Sequence, residues 1–242
     1  MSQFTVNKIG AIGSTNEALR EEYHMGSLAH GKVLWALNQT QGKGQRGAVW
    51  AVEANKNLTF SVFISQERLQ FSSTYGLNCC VTLGIKNALD LLEIPAVTIK
   101  WPNDILSGDK KLGGVLIENV YRGSVLMGSI VGVGLNVNQE HFSNLPQASS
   151  MRLCSGRTFV LEDVLQLILK QFSNQFKAIN EKEIFDRYRT SLFSLNERRV
   201  FRTSKGTFHA KVIGVNTIGQ LQLQLDSGEI KAFALKSVQW VY

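Results

Sequence analysis

Residues 99–118, Ile-Lys-Trp-Pro-Asn-Asp-Ile-Leu-Ser-Gly-Asp-Lys-Lys-Leu-Gly-Gly-Val-Leu-Ile-Glu, gather charge, turn formers and paired glycines in one short stretch. An apolar β-type run, Ala96 to Ile99, leads in, and a second, Val115 to Ile117, leads out. Between them Pro102, Asn103, Asp104, Gly108 and Asp109 supply turn chemistry. The pattern predicts a hairpin-like pair of strands that presents Lys100, Asp104 and Lys111 near one rim. Gly113 and Gly114 stand at the start of the outgoing strand, where paired glycines let another group approach the backbone closely. Taken alone, the same residues also describe an ordinary turn with solvated charges.

Two other stretches carry glycine at chemically useful spacing. Gly42-Lys43-Gly44-Gln45-Arg46-Gly47 fits G-x-G-x-x-G after a strand, and Val49 extends it to the protein-kinase pattern. A dinucleotide fold needs a helix directly after the third glycine, whereas Ala48-Val49-Trp50-Ala51 runs on to Asn55, Lys56, Asn57 and a strand. The H-R-D and D-F-G elements of a kinase do not occur, and no Gly-Lys precedes Ser or Thr as a Walker loop requires. What remains is a loop of free backbone N–H groups with Lys43 and Arg46, suited to an anion or simply mobile and solvated. Gly132-Val133-Gly134-Leu135-Asn136 ends a strand with two glycines on one face. They make room for a ligand against the sheet, or let two elements pack closely.

The elements that must position these residues are set by periodicity. Residues 4–9, 32–37 and 57–64 read as strands, the last with Leu58, Phe60, Val62 and Ile64 alternating. Ser14 with Glu17 has capping-box spacing at a helix start. Ser73 to Leu92 is helical, two strands come next near 112–121 and 124–137, and Leu161 to Ile179 and Glu181 to Leu192 are amphipathic helices. From Arg198 onward short strands broken by Gly206, Gly214, Gly219 and Gly228 suggest a small β-barrel. The expected division is 1–194 and 195–242, where helical periodicity ends.

Composition bounds the function class. The 242 residues carry 44% hydrophobic and 19% charged side chains, values of a globular chain with a real core. No apolar run reaches membrane-spanning length and the start has no leader-like pattern, so the expected location is the cytoplasm. Three cysteines, Cys79, Cys80 and Cys154, give an odd count with no C-x-x-C and so no disulfide framework, the adjacent pair suits buried thiols, and His24, His30, His141 and His209 lack ligand spacing, so no metal site is expected. Net charge is +7, and from Glu197 to Tyr242 seven basic side chains face three acidic ones. Basic surface favours nucleic acid or an acidic protein partner. Phe201, Phe208, Phe233 and Trp240 fall on strand alternations and read as core.

Four stretches occur in order: Gly13-Ser14-Thr15-Asn16; Gln39 with Gly42 to Gly47 and Trp50; Lys100-Trp-Pro-Asn-Asp104 with Lys111-Leu-Gly-Gly114; and Gly132-x-Gly-x-Asn136. Together they resemble the biotin–protein ligases, the biotin–[acetyl-CoA-carboxylase] ligases and eukaryotic holocarboxylase synthetases. Lipoate–protein ligases share the fold but lack the Lys-Trp-Pro-Asn-Asp stretch. The resemblance implies an α/β domain with helices on a central mixed sheet, then an SH3-like barrel. It implies biotin and ATP, with Mg²⁺, as substrates and a biotin carboxyl carrier protein or domain as acceptor. Too few residues precede Ser14 for the DNA-binding domain of some relatives, so a monofunctional form without specific DNA binding is expected, as monomer or homodimer.

The resemblance also places roles. Ser14, Thr15, Asn16 and Gln39 would meet biotin, with Gly42, Lys43, Gly44 and Gln45 in a closing loop, and Gly114, Leu116 and Gly132 as walls. Gln45 stands where many relatives carry Arg, which bears on how well the loop retains the intermediate. Trp50, Asn103 and Asn136 would meet the nucleotide, with Lys43 and Arg46 on its phosphates. Lys111 would bridge the biotin carboxylate and the α-phosphate. Asp104 would orient the acceptor amine and take its proton, and Lys100 would hold either Asp104 or the phosphate. The C-terminal excess of basic residues, Arg198 and Arg199 among them, would dock an acidic carrier.

Overall fold

The computed structural model describes residues 4–26, 28–68, 71, 73–143, 145–177 and 180–241, with the Arg46 side chain outside that set. The chain runs β1 (Thr5–Ile12), α1 (Thr15–His24), β2 (Lys32–Gln39), β3 (Leu58–Ser65), α2 (Thr74–Leu91), β4 (Val97–Lys100), β5 (Asp104–Ser107), β6 (Lys110–Arg122) and β7 (Val125–Leu135). It continues with α3 (Met151–Ser155), α4 (Leu161–Lys177), α5 (Glu181–Thr190), β8 (Arg198–Thr203), β9 (Gly206–Val215), β10 (Leu221–Leu225), β11 (Ile230–Phe233) and β12 (Gln239–Val241). Seven strands form one sheet in the order β1-β2-β3-β7-β6-β5-β4, and the last five form another, β11-β10-β9-β8-β12. The first sheet is mixed, because α1 carries β1 into a parallel pairing with β2 while the other neighbours are antiparallel. The second is antiparallel throughout, consistent with an SH3-like unit.

Alternation along the strands decides which face meets which helices. Phe60, Val62 and Ile64 of β3 and Val131, Val133 and Leu135 of β7 enter the large core with α2, α4 and α5. Phe63 and Ile130, at the intervening positions, join Leu19 of α1 and Val120 of β6 in a smaller core on the opposite face. Each large apolar side chain fully buried there stabilises the fold by about 1.5–3 kcal/mol. Ser61, Gly132, Gly134, Leu116 and Glu118 share the parity of that α1 face. On the other face α2 presses against α4 so closely that a Cβ at Gly84 would meet the Phe172 ring at 2.6 Å. Cys79 and Cys80 are buried free thiols within α2.

Several elements differ from expectation. The 99–118 stretch is two successive hairpins rather than one, with β5 paired to β4 on one side and β6 on the other. Asp104–Ser107 is too short and too closely flanked by turn formers to announce itself, and pairing on both edges makes it a strand. Gly113 and Gly114 therefore lie inside β6. Short α3 was not anticipated; Ser150 caps it, accepting from the Leu153 N–H. Helix α5 stops before Leu192, and Ile179, expected to end α4, lies outside the described residues. Ser14 caps α1 through the Glu17 N–H at 3.5 Å, but the Glu17 carboxylate turns to Lys43. No helix among the described residues is long and apolar enough to cross a membrane.

Candidate functional site

Two rows of residues cross the α1 face of the large sheet. Ser61, Gly132 and Leu116 pair across β3, β7 and β6. The next row is Thr59, Gly134, Gly114 and Asp104, which reaches β5. A Cβ at Gly132 would collide with Asn16 Oδ1, and one at Gly134 with the Trp50 indole. Close packing is thus one reason for these glycines, and both also line a cavity of about 270 Å³.

The cavity wall draws on every motif. Ser14, Thr15 and Asn16 come from the start of α1, Gln39 from the end of β2, and Lys43, Gly44, Gln45 and Trp50 from the glycine loop. Asn103, Asp104, Lys111, Gly114 and Leu116 come from the β4–β6 meander. Val49 and Gly134, both part of the glycine patterns, also line it, and Ala48, Phe60, Val115 and Val133 complete it without having been given a role from sequence. Strand alternation would not have found Phe60, Val115 or Val133, whose side chains belong to the large core on the opposite face of the sheet.

One end of the cavity is polar and preorganised. The Thr15 N–H donates to Gln39 Oε1 at 2.7 Å, and Ser61 Oγ lies 2.6 Å from Thr15 Oγ1 and 2.5 Å from Asn16 Oδ1. Asn16 Nδ2 donates to Glu118 Oε2 at 2.7 Å. Ser61 and Glu118 belong to this network yet match no motif.

The other end is charged. Lys111 Nζ lies 2.6 Å from Asp104 Oδ1 and 5.8 Å from the centre of the Trp50 ring. A Cβ at Gly114 would stand 3.3 Å from Asp104 Oδ1 and 3.7 Å from Lys111 Nζ, so glycine keeps space open beside the ion pair. The backbone of Lys111 is held by a passing segment: its N–H donates to Gln147 O at 2.7 Å, and its carbonyl accepts from the Ser149 N–H at 2.9 Å. Asn103 grips Val115 in both directions, N–H of Val115 to Asn103 O and Asn103 Nδ2 to Val115 O. The Pro102 carbonyl accepts from Asn78 Nδ2 at 2.9 Å and Tyr188 O–H at 3.2 Å, so α2 and α5 fix the turn that carries Asn103 and Asp104.

The glycine loop folds back over the cavity. The Trp50 N–H donates to Gly42 O at 2.9 Å and the Gly44 N–H to Ala48 O at 2.7 Å. Gly42 is needed for that reversal, since a Cβ would strike the Trp50 carbonyl, but it does not line the cavity. Lys43 pairs with Glu17 of α1, tying loop to helix. The Trp50 Nε1–H is buried without a hydrogen-bond partner among the described residues.

Two further expected participants, Lys100 and Asn136, stand elsewhere. Lys100 alternates away from the cavity and lies 5.7 Å from the centre of the Trp240 ring, against the second sheet. Burial pushes its pKa down, with Asp104 opposing and Lys111 adding to the shift. Asn136 is buried with its Nδ2 donating to Ser149 O at 2.9 Å, so it secures the segment strapped over Lys111 rather than facing the cavity. The Arg46 side chain lies outside the described residues. Among the described residues no group of three or more His, Cys, Asp or Glu is placed to hold a metal ion.

Known proteins are similar to the chain in both sequence and fold. A bifunctional ligase/repressor BirA of Bacillus spizizenii is 25% identical over 232 residues, 91% of this chain and 70% of that protein. A biotin--[acetyl-CoA-carboxylase] ligase of Mycobacterium tuberculosis is 32% identical over 146 residues, 59% of this chain and 53% of the other. The fold superposes on the biotin protein ligase from Aquifex aeolicus in complex with biotin and ATP with a TM-score of 0.82 and 26% identity, covering 98% of this chain and 99% of that one. The profile of the Biotin/lipoate A/B protein ligase family matches residues 10–136, more than half of the chain and the span that holds the whole cavity wall. On that match, the chain belongs to the biotin/lipoate A/B protein ligase family.

Proposed function

We propose that the chain is an ATP-dependent biotin–protein ligase that acts in the cytoplasm. It joins biotin to ATP as biotinyl-5′-AMP with release of pyrophosphate, then passes the biotinyl group to a lysine of a biotin carboxyl carrier domain. The observation that carries this reading is the Lys111–Asp104 pair, 2.6 Å apart, in one cavity with the Trp50 indole and the Thr15–Asn16–Gln39 floor. The similarity to relatives whose names specify biotin ligation supports it.

The first step drives a carboxylate oxygen onto the α-phosphorus while the bond to the β-phosphate oxygen breaks. Two anions about 4 Å apart repel by about 1 kcal/mol in water and about 4 kcal/mol at an effective dielectric of 20. Lys111 between them turns that repulsion into attraction, which grows as charge develops at phosphorus. Lys43, with Arg46 proposed beside it, adds positive charge from the loop, and the magnesium arrives as MgATP. Trp50 offers a flat apolar face to the adenylate.

In the second step the acceptor amine attacks the acyl carbon and AMP leaves with the bonding pair. A lysine of pKa about 10.4 costs about 4.6 kcal/mol to deprotonate at pH 7. Asp104 is the carboxylate at the cavity wall, and once Lys111 turns to the phosphate it is available to orient the amine and accept its proton.

In this reading residues 1–194 form the catalytic unit and 195–242 an SH3-like unit joined to it through Trp101, whose Nε1–H donates to Gly219 O at 2.9 Å, and through Lys100 against Trp240. The test is ATP–pyrophosphate exchange with biotin, lipoate or no acid. Biotin-dependent exchange that Lys111→Ala abolishes supports the assignment. Exchange with lipoate instead moves the substrate within the same family, and no exchange with either acid from folded protein overturns the ligase reading.

A further inference from the structure

The direction of the Asn16 amide in the cavity floor is set from outside the cavity. Glu118 Oε2 lies 2.7 Å from Asn16 Nδ2, and Glu118 Oε1 lies 2.5 Å from Arg20 Nη2. Asn16 and Arg20 are one helical turn apart and share a face of α1. Glu118 comes two residues after Leu116 on the cavity face of β6, so all three side chains meet at one corner of the site. An ionised carboxylate only accepts hydrogen bonds. The Asn16 N–H₂ must therefore face Glu118, and Oδ1 must face the opposite way, over Gly132, where the Ser61 hydroxyl donates to it at 2.5 Å. Gln39 is oriented by the same kind of argument. Its Oε1 takes the Thr15 N–H at 2.7 Å and lies 2.9 Å from Thr15 Oγ1, so its N–H₂ points away from α1. The floor thus combines an oriented amide oxygen at Asn16 with an oriented amide N–H₂ at Gln39.

We propose that Glu118, clamped by Arg20, is a positioning residue that sets this donor–acceptor polarity and so selects the acid. It suits a ring that offers N–H to the Asn16 oxygen and carbonyl oxygen to an N–H donor, the chemistry of a cyclic urea. A dithiolane ring offers neither and leaves the buried groups unpaired, the situation in which a polar site rejects an analogue most strongly. The inference rests on the ligase reading above and supplies the basis by which this member of the family would separate a urea-bearing acid from a dithiolane acid.

The test compares Glu118→Gln with the unaltered chain by biotin calorimetry and by exchange kinetics with biotin, lipoate and ATP varied in turn. A Gln at 118 can present N–H₂ to Asn16 and reverse its amide. The expected result is a rise of about tenfold or more in the Kd and KM for biotin, with the ATP KM within about twofold and a narrower preference for biotin over lipoate. A purely structural role would instead lower kcat and move both KM values together. Arg20→Gln, which leaves Glu118 in place but unclamped, is expected to shift biotin binding in the same direction, and Arg20→Lys to restore it. Should Glu118→Gln not fold, the Arg20 pair carries the same expectation. Wild-type biotin affinity in the folded Glu118→Gln or Arg20→Gln variant would overturn the inference while leaving the ligase reading intact. Failure of the unaltered chain to bind biotin would overturn both.

Discussion

In the proposed reaction two requirements meet at Lys111: it must hold charge beside an incoming phosphate, and it must be held still before that phosphate arrives. Asp104 meets the second, and Gly114 leaves the pair open to a ligand. Lys111→Ala is expected to slow biotin-dependent pyrophosphate release by about 100-fold or more while the far-ultraviolet dichroism and melting curve stay native. Release at the wild-type rate would remove Lys111 from the mechanism. Asp104→Asn separates the two half-reactions. Its expected effect is larger on single-turnover transfer from preformed biotinyl-5′-AMP than on adenylate formation, and equal losses in both would argue against a proton-accepting role. Gly134→Ala probes the packing beneath Trp50. The added methyl has no space under the indole, so an overpacking cost of about 1–3 kcal/mol in denaturant unfolding is expected, together with weaker nucleotide binding.

Between elements, two contacts govern how the site is assembled. The Glu17–Lys43 pair ties the glycine loop to the first turn of α1, with Lys43 a little over half exposed. An exposed pair contributes about 0.2–1 kcal/mol, so Glu17→Ala is expected to speed release of biotinyl-5′-AMP by no more than about fivefold. Stopped-flow chase of a labelled intermediate reads this directly, and an unchanged rate would show that other contacts close the loop. The second contact is the Trp101 N–H on Gly219, which links the β4–β5 turn to a loop of the second sheet. Trp101→Phe removes one hydrogen bond and is expected to cost about 0.5–1.5 kcal/mol of stability.

For the molecule as a whole, burial of weak acids sets a limit at alkaline pH. The Cys80 thiol is pushed from 9.0 up to about 12 by burial, with Arg187 opposing, and burial also raises Tyr75 and Tyr188 from 10.0. A raised folded-state pKa favours the fold while pH is below the unfolded value and loses that advantage as pH climbs toward the folded one. Thermal midpoints are therefore expected to fall progressively between about pH 9 and 12, and Cys80→Ala to flatten the early part of the fall; a midpoint constant across that window would contradict this. The basic C-terminal surface is partly paired within the chain. Arg198 makes two bonds to Asp226, at 2.9 and 2.8 Å, and Arg199 bonds to Glu197 and Ser194. Charge reversal at either therefore also breaks an exposed ion pair, a small loss of stability.

Local patterns in the sequence determined most of the strands and helices, because alternation and helical spacing are written residue by residue. They also determined the ordered motifs that now surround one cavity. The polar run and strand after Gly47 excluded the dinucleotide reading of the glycine loop, and the missing H-R-D and D-F-G elements excluded the kinase one. Only the tertiary structure decided which members of those motifs face the cavity. Lys100 and Asp104 belong to one short motif, yet the β4–β5 turn sends Lys100 to Trp240 and Asp104 to Lys111. Asn136 comes just after the two cavity glycines but is spent on Ser149. Ser61 and Glu118 have no local signature at all, since a lone serine or glutamate in a strand gains meaning only from its neighbours across the sheet. The physical reason is the same in each case: spacing fixes the parity of a side chain along its own strand, whereas sheet order and register decide what that side chain meets.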